Sequence, residues 1–289
     1  MVRFAVGLPN VGAFGDPALL VDLAVAAEEH GWDGVFLWDH LIYPDPAWPV
    51  VSPTVVLSAI AARTRRVRIG VLMVALPRRR PQMVAKETAT LDVLSGGRLV
   101  FGAGLGSQDA EYADFGEDPD LKARAARLDS GLEEVTRLWG RLPPSPVQRP
   151  RIPVWCPGRW PTRAGFRRAV WWDGAMPTFR DYGQERAVPV AEFARVVDFL
   201  REHAGRVRRG AGGAGGGRPG RRLRGGGHDV VGRGDGLVAR RAGGGPRDDL
   251  RRPAPLTAPV TRSGLQVRRL MGRCPGRGGG PGPNRGRSW

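Results

Sequence analysis

The feature that most constrains the fold is a repeated alternation, between residues 3 and 203, of short apolar β-rich runs and longer helical patterns. Such alternation is typical of β/α units, in which parallel strands form a sheet covered by helices. Six units can be counted along the chain. Their predicted strands are RFAVGLP, GVFLW, VRIGVLMVAL, RLVFGAG, IPVWCPG and WDGAMP, at residues 3–9, 34–38, 67–76, 98–104, 152–158 and 172–177.

Helix start and stop signals separate these strands. Asp16 is a predicted N-cap, Pro17 suits the first helical position, and Gly31 follows the end of the same helix. Helices are predicted at residues 16–31, 52–66, 80–97, about 119–139, 162–171 and 190–205.

The strands are almost continuously apolar, and no long crossover marks a reversal of strand order. These two features favour a barrel over an open doubly wound sheet. A closed TIM-type barrel needs eight β/α units, whereas six are counted here. We therefore predict the α/β class and an incomplete TIM-type β/α barrel that occupies residues 1–204.

Residues 205–289 differ sharply in composition from the rest. They hold 20 Arg, no Lys and 4 Asp, whereas residues 1–204 hold 25 Lys and Arg against 24 Asp and Glu. They also contain 25 of the 43 glycines and no Ile, Phe, Tyr or Glu, which leaves little apolar mass to offset chain entropy. We predict a disordered Arg/Gly-rich segment in which only HDVV, LVA and GLQV suggest strands.

Two origins of this basic segment stay open. Its charge would attract nucleic-acid phosphates, although aromatic residues for base stacking are missing before Trp289. Alternatively, a frameshift near codon 205 in GC-rich DNA would produce this composition and delete the last two units, because Arg, Gly, Pro and Ala have codons made only of G and C. The missing units favour the frameshift. Two open sheet edges would then remain, and we expect poor solubility and fast hydrogen exchange in the segment.

Cysteine use and hydropathy indicate the compartment. Cys156 and Cys274 form neither a disulfide framework nor a metal-ligand spacing, so we expect a reducing compartment and no metal. The chain begins without the apolar core of a signal peptide, and nowhere do 18 apolar residues run together. We therefore expect a soluble, cytoplasmic protein with no membrane partner.

The fourth predicted strand ends in the glycine-rich run RLVFGAGLGS, residues 98–107. A dinucleotide-binding turn needs G-x-G-x-x-G, but counting from Gly102 the third glycine is replaced by Ser107, and QDAE follows instead of an apolar helix. The run instead indicates a buried strand that brings backbone without side chains to its carboxyl end, where a ligand can approach closely.

In a β/α barrel, the loops after the strands converge on one rim that carries the chemistry. Glycine, aromatic, arginine and histidine side chains follow the predicted strands. This combination suits a large, flat, anionic cofactor, with apolar walls for a ring system and glycine amides or arginine for a phosphate. The rim loops are Pro9-Asn10, Trp38-Asp39-His40, Pro77-Arg78-Arg79-Arg80, Gly104-Leu105-Gly106-Ser107, Pro157-Gly158-Arg159-Trp160 and Met176-Pro177.

At these positions the sequence resembles the bacterial luciferase-like flavin oxidoreductases over about residues 3–200. The resemblance lies in GWDGVFLWDH (31–40), TRRVRIG (64–70), RRRP (78–81), TLDVLSGGRLVFGAGLG (90–106), PRIPVW (150–155) and WDG (172–174), in order and at β/α-unit spacing. It implies a β/α barrel and a flavin-dependent oxidoreductase or monooxygenase that uses FMN, or alternatively a deazaflavin coenzyme. It further implies a small-molecule substrate, and it allows a flavin reductase partner and a homodimer.

The resemblance also implies roles for single residues. Asp39 and His40 would be catalytic, facing the flavin ring and handling substrate or protons, although Asp39 could equally fix its loop. Met73 and Val74 would belong to a backbone bulge behind the isoalloxazine ring. The glycines Gly104, Gly106 and Gly158, together with Arg159, would approach the flavin or its phosphate. The triple arginine 78–80 could bind phosphate or form a solvated face.

Two departures from the family pattern affect the expected function. Leu105 stands where some deazaflavin-dependent sugar-phosphate dehydrogenases carry an acid, so we expect a different activity. The segment GRLPPSPVQ at residues 140–148 is short, which puts a surface insertion and an oligomer contact in question. Because the barrel is incomplete, we expect little bound flavin in this chain. The alternative function is nucleic-acid binding through the basic segment.

Overall fold

The computed structural model describes residues 2–180, 188–210, 229–230 and 239–240, with side-chain environments for 3–180 and 188–204. The strands are β1 Val2–Arg3, β2 Ala5–Leu8, β3 Gly34–Leu37, β4 Arg68–Ala75, β5 Leu99–Gly104, β6 Val154–Trp160, β7 Gly174–Phe179, β8 Asp229–Val230 and β9 Ala239–Arg240. The helices are α1 Pro17–Glu29, α2 Pro53–Arg63, α3 Pro81–Leu94, α4 Ala110–Ala113, α5 Leu121–Trp139, α6 Ala164–Ala169 and α7 Val190–Gly210. Short 3₁₀ turns lie at Gly12–Phe14 and Leu76–Arg78.

The predicted incomplete barrel is confirmed. Strands β2 to β7 lie side by side in chain order, and each neighbouring pair is parallel. Together with their helices they form a curled half-barrel. Each of the six predicted strand runs overlaps one of them, and β6 and β7 each extend two residues beyond the predicted end. Sequential parallel pairing through helices is what the β/α alternation requires.

Two short pieces of the basic segment lie beside this half-barrel. Strand β8 pairs in parallel with the first residues of β7, Gly174 and Ala175, while β9 pairs antiparallel with β1. Strand β8 falls within the predicted run HDVV, and β9 begins at the last residue of LVA, whereas GLQV lies outside the described residues. The sequence predicts a sheet of six strands with an open edge at the last strand. This prediction is wrong at the start of β7, because β8 pairs there as a seventh strand. Residues 205–210, also predicted to be disordered, belong to helix α7, and the other residues of the segment lie outside the described residues.

The local signals for helices are confirmed where they can be checked. Helix α1 begins after Asp16, whose carboxylate accepts a hydrogen bond from the backbone N–H of Ala18 at 2.8 Å. Gly31, just past its end, has a φ of +80°, a conformation that favours glycine. Among the helices that the structure describes, none is long and apolar enough to cross a membrane.

Side chains alternate between the inside of the curl and the surrounding helices. The inward cluster consists of Phe36, Leu72, Val100, Trp155 and Met176, with Ala5 and Met73 packed against it. Neighbouring residues of the strands face the helices instead, as Phe101 does when it meets Trp139 edge-on at 5.8 Å. By this alternation Pro157 and Arg159, which follow Trp155 on β6, face the inside at the carboxyl rim.

Candidate active site at the carboxyl rim

His40 follows β3 at the carboxyl rim, and Asn10 from the loop after β2 fixes its backbone. The fully buried Asn10 amide donates to the carbonyl oxygens of His40 at 2.9 Å and Val51 at 2.8 Å. In return, the backbone N–H of His40 donates to Asn10 Oδ1 at 3.1 Å. Sequence reasoning placed Asn10 in a rim loop without assigning it a role.

Glu111 fixes the imidazole of His40. Its Oε1 lies 3.2 Å from His40 Nδ1 and accepts the backbone N–H of Leu41 at 2.7 Å, while Oε2 accepts from Arg78 Nη1 at 2.6 Å. The Glu111 side chain is only 1% exposed. Burial by itself would raise the pKa of Glu111, but the hydrogen bonds from His40 and Leu41 and the charge of Arg78 outweigh it, so that its pKa lies below the usual value.

This carboxylate determines the hydrogen position on the imidazole. An ionised carboxylate can only accept hydrogen bonds, so Nδ1 of His40 carries the hydrogen that points at Glu111. The amide nitrogen of Gln108 also lies 3.3 Å from Nδ1, and it cannot donate to Nδ1 while that atom carries its hydrogen. The other ring nitrogen, Nε2, is then free to accept a proton or to hydrogen-bond a ligand.

Asp39 is held in a buried network instead of being free at the rim. Its carboxylate accepts the backbone N–H of Ala75 at 3.0 Å and Arg79 Nη2 at 2.7 Å, and Arg78 lies 3.5 Å away. With 2% of its side chain exposed, Asp39 ties the end of β3 to the end of β4. This geometry favours the loop-fixing role for Asp39, and a direct role in proton handling stays a prediction.

Of the three arginines after β4, Arg78 and Arg79 are neither a free phosphate patch nor a solvated face, whereas Arg80 is exposed. Arg78 is 5% exposed and donates both to Glu111 and to the carbonyl oxygen of Asp39. Two guanidinium groups, from Arg78 and Arg79, thus neutralise the two carboxylates of Asp39 and Glu111. Sequence reasoning missed Glu111, although its position in the loop after the glycine-rich strand was a usable signal.

The bulge expected in β4 is present. The register between β4 and β5 shifts between Val71 and Val74, and the Leu72–Met73 peptide bond is cis. A Cβ atom added to Gly104 would lie 3.0 Å from Sδ of Met73 and 3.1 Å from Cγ of Pro157. The structure therefore brings Met73 and Gly104 together on the inner wall.

The other predicted cofactor residues have different environments. Gly106 has a φ of +75° and turns the chain towards Tyr112, whose hydroxyl donates to the carbonyl oxygen of Leu105 at 2.7 Å. A Cβ on Gly158 would lie 2.5 Å from the ring of Phe166, so this glycine faces α6. Arg159 is exposed on the inner side of β6. Cofactor contacts of these residues stay predictions.

The inner wall at this rim fits a flat anionic cofactor. A Cβ on Gly104 would be tight against Met73 and Pro157, and a Cβ on Gly7 of β2 would meet no atom of the described residues within 4 Å. The thioether of Met73 supplies an apolar contact, and Arg159 supplies a cation for a phosphate. This donor set suits FMN and a deazaflavin coenzyme equally.

A pocket of about 410 Å³ adjoins His40, and we refer to it as the His40 pocket. It is lined by Asp39, His40, Leu41, Val50, Val51, Ser52, Pro53, Arg78 and Arg79. The rings of Trp38 and Tyr43 meet His40 edge-on, with centroids 5.8 and 5.2 Å away. The histidine thus lies between an aromatic cluster and a pocket large enough for a small organic molecule.

The fold and the site together define a β/α-barrel protein with a carboxylate-held histidine at its carboxyl rim. Residues 4–212 match the family described as luciferase-like monooxygenase, and the chain belongs to this family. The resemblance stated from the sequence motifs is therefore confirmed.

Relatives of two kinds are similar to this chain. The F420-dependent glucose-6-phosphate dehydrogenase of Nakamurella multipartita is 38% identical over 131 residues, which cover 43% of this chain and 37% of that protein. The 4-hydroxyprotoasukamycin monooxygenase of Streptomyces nodosus subsp. asukaensis is 35% identical over 152 residues, covering 47% and 40%. The matched region thus spans less than half of these relatives.

Solved structures agree with this assignment. The monooxygenase RslO1 from Streptomyces bottropensis superposes with a TM-score of 0.55 at 25% identity, covering 69% of this chain and 62% of that one. An F420-dependent secondary alcohol dehydrogenase, with a TM-score of 0.57 at 19% identity, shares the fold. The curated relatives described above are named as a dehydrogenase and a monooxygenase.

Proposed function

We propose that this chain is a flavin-dependent oxidoreductase of the luciferase-like monooxygenase type, acting on a small organic substrate with reduced FMN. A deazaflavin coenzyme is the alternative cofactor, since relatives named for F420 are among the most similar sequences. The observation that carries the proposal is His40, whose Nδ1 is held by the ionised Glu111 at the rim of the half-barrel.

Residues of the inner wall would hold the cofactor. The ring system would lie against Met73 and the bulge at Val74, beside Gly104, against which Met73 and Pro157 already pack. The phosphate would be bound from the rim by Arg159, and Gly106 in the loop after β5 and Gly158 on β6 are the other residues predicted to approach it. When bound, the reduced flavin supplies a hydride or reacts with oxygen, and the protein supplies binding, orientation and electrostatics.

His40 would hold or transfer one proton through Nε2. Because Glu111 remains ionised, it stabilises the imidazolium that forms when Nε2 gains a proton. Arg78 restrains this pair through Glu111, and Asn10 restrains it through the backbone of His40. The tautomer and the direction of Nε2 are therefore set before substrate binds.

The experiment that tests the proposal compares cofactors and products. The full 289-residue chain is titrated separately with FMN and F420, and the reduced complex is then mixed with candidate substrates with and without oxygen. Oxygen-dependent product supports a monooxygenase, and anaerobic product supports a dehydrogenase or reductase. If neither cofactor binds and the chain instead binds nucleic acid with a steep salt dependence, the function of the basic segment replaces this proposal.

A further inference from the structure

We infer that the His40 pocket accepts a neutral, mainly apolar organic substrate with one hydroxyl or carbonyl oxygen, and that it excludes sugar phosphates. The inference rests on the proposed function, because it takes His40 as the group that faces the substrate. It assigns a substrate class to this chain from the composition and the charge pairing of the pocket lining.

One side of the pocket is apolar. It is formed by Leu41, Val50, Val51 and Pro53. The backbone N–H of Leu41 donates to Glu111, which fixes the position of this residue. Leu41 is nevertheless 48% exposed, so its side chain offers apolar surface to a ligand in the pocket. An apolar surface beside a few polar groups is the usual composition of small-molecule sites. A polyhydroxylated sugar would leave its hydroxyl groups without partners against this side.

On the charged side of the pocket both guanidinium groups are already paired with carboxylates, although the buried Nε of Arg79 has no partner among the described residues. Arg79 donates to Asp39 at 2.7 Å, and Arg78 donates to Glu111 at 2.6 Å. Both carboxylates are almost completely buried, so that drawing either guanidinium away would leave an uncompensated buried charge. The formal charges of these four side chains cancel. A phosphate dianion placed here would have to compete with partners that the fold already holds.

Besides the unpartnered Nε of Arg79, two neutral groups remain to bind a substrate oxygen. His40 offers Nε2, since its Nδ1 is committed to Glu111. Ser52 stands at the N-cap of α2 but its side chain makes no capping hydrogen bond, so its hydroxyl is available to the pocket. Pro53 at the first helical position lacks an N–H and weakens this helix terminus as an anion site. One histidine and one hydroxyl match a single hydroxyl or carbonyl oxygen.

The test uses the full 289-residue chain without flavin and measures ligand binding by saturation-transfer NMR. Cyclohexanone and cyclohexanol serve as neutral probes, and glucose 6-phosphate is the competitor. We expect both probes to bind and a tenfold excess of glucose 6-phosphate to leave their signals unchanged. Leu41→Asp should weaken probe binding at least tenfold, because it places a charge on the apolar side. Leu121→Asp, at a 60% exposed site outside the pocket, is the matched control.

Further variants guard against misfolding. If Leu41→Asp does not fold, Leu41→Ala and Ser52→Ala should each weaken probe binding while the circular dichroism spectrum is unchanged. Displacement of the probes by glucose 6-phosphate, absence of probe binding, or equal binding by the Leu41 and Ser52 variants would overturn the inference. Probe binding by a chain that binds neither FMN nor F420 would support the pocket and contradict the proposed function, so the two failures are distinguishable.

Discussion

The Nδ1 atom of His40 lies 3.2 Å from Oε1 of Glu111, a residue 71 positions later in the chain. Glu111, on the short helix α4 after β5, thus orients the imidazole of His40, which follows β3. Because Glu111 is buried, ionised and also bonded to Arg78, the pair has a defined polarity: the carboxylate accepts and the imidazole donates. This arrangement makes Nε2 of His40 the reactive atom of the proposed site.

Replacing His40 with Ala should lower turnover by about 10²–10⁴-fold, the usual contribution of a positioned acid–base group. Flavin affinity should change less than twofold, since the proposed ring and phosphate contacts lie on other residues. Steady-state turnover and a flavin titration measure the two effects separately. His30→Ala, at an exposed site at the end of α1, is the control. Unchanged turnover at saturating substrate would exclude His40 from catalysis.

Glu111→Gln should lower the free energy of unfolding at neutral pH by about 1–3 kcal/mol, because a charged acceptor for Arg78 and His40 is lost. The folded-state pKa of Glu111 is lowered, so its stabilising contribution is complete above its ordinary pKa of about 4.5 and is lost as pH falls through the folded-state value. Urea unfolding measured at several pH values should therefore show the two proteins converging in acid. A stability difference that does not shrink in acid would contradict the role of this carboxylate.

Gly104→Val should raise the flavin dissociation constant tenfold or more, or about 1.4 kcal/mol. Its Cβ would already be tight against Met73 and Pro157, and the larger side chain would displace the proposed ring-binding wall. Fluorescence titration measures the affinity. Gly140→Val is the control, because Gly140 is exposed and its added Cβ would come no closer than 3.7 Å to Arg137. An unchanged flavin dissociation constant in Gly104→Val would contradict the assignment of Gly104 to the flavin site.

Arg159→Gln should weaken FMN about tenfold and leave riboflavin within twofold, because the proposed contact is to the phosphate that riboflavin lacks. Competition between the two flavins, followed by fluorescence, gives both constants. Arg167→Gln, which removes an exposed arginine from the outer helix α6, should change neither. Equal losses for both flavins would place Arg159 away from the phosphate.

Much of the half-barrel was predictable from the sequence, since each strand and cap is specified locally. The Asp16 N-cap and the six strand runs depend on neighbouring residues alone. The position of His40 after β3 could be predicted for the same reason. The bonding of Glu111 to His40 could not, because it arises when two distant loops meet at the rim. The same limit applies to Asp39, whose burial depends on arginines that follow another strand.

The pairing of β8 with β7 also escaped prediction. HDVV is a short run without flanking helices, so its sequence carries no β/α signal. Its place in the sheet is decided by the edge that β7 leaves open, and that information lies outside the run itself. Strand pairing at the sheet edge and ion pairs between residues far apart in the chain are thus the parts of this fold that local sequence patterns do not specify.

The most direct test of the central claim is an equilibrium titration of the full 289-residue chain with FMN and with F420, followed by cofactor fluorescence. The account predicts that the chain as isolated carries little flavin, but that added cofactor binds saturably with one site per chain. It further predicts that His40→Ala retains this binding and that Gly104→Val weakens it at least tenfold. Absence of saturable binding by either cofactor, or equal affinity in the Gly104→Val variant, would contradict the account.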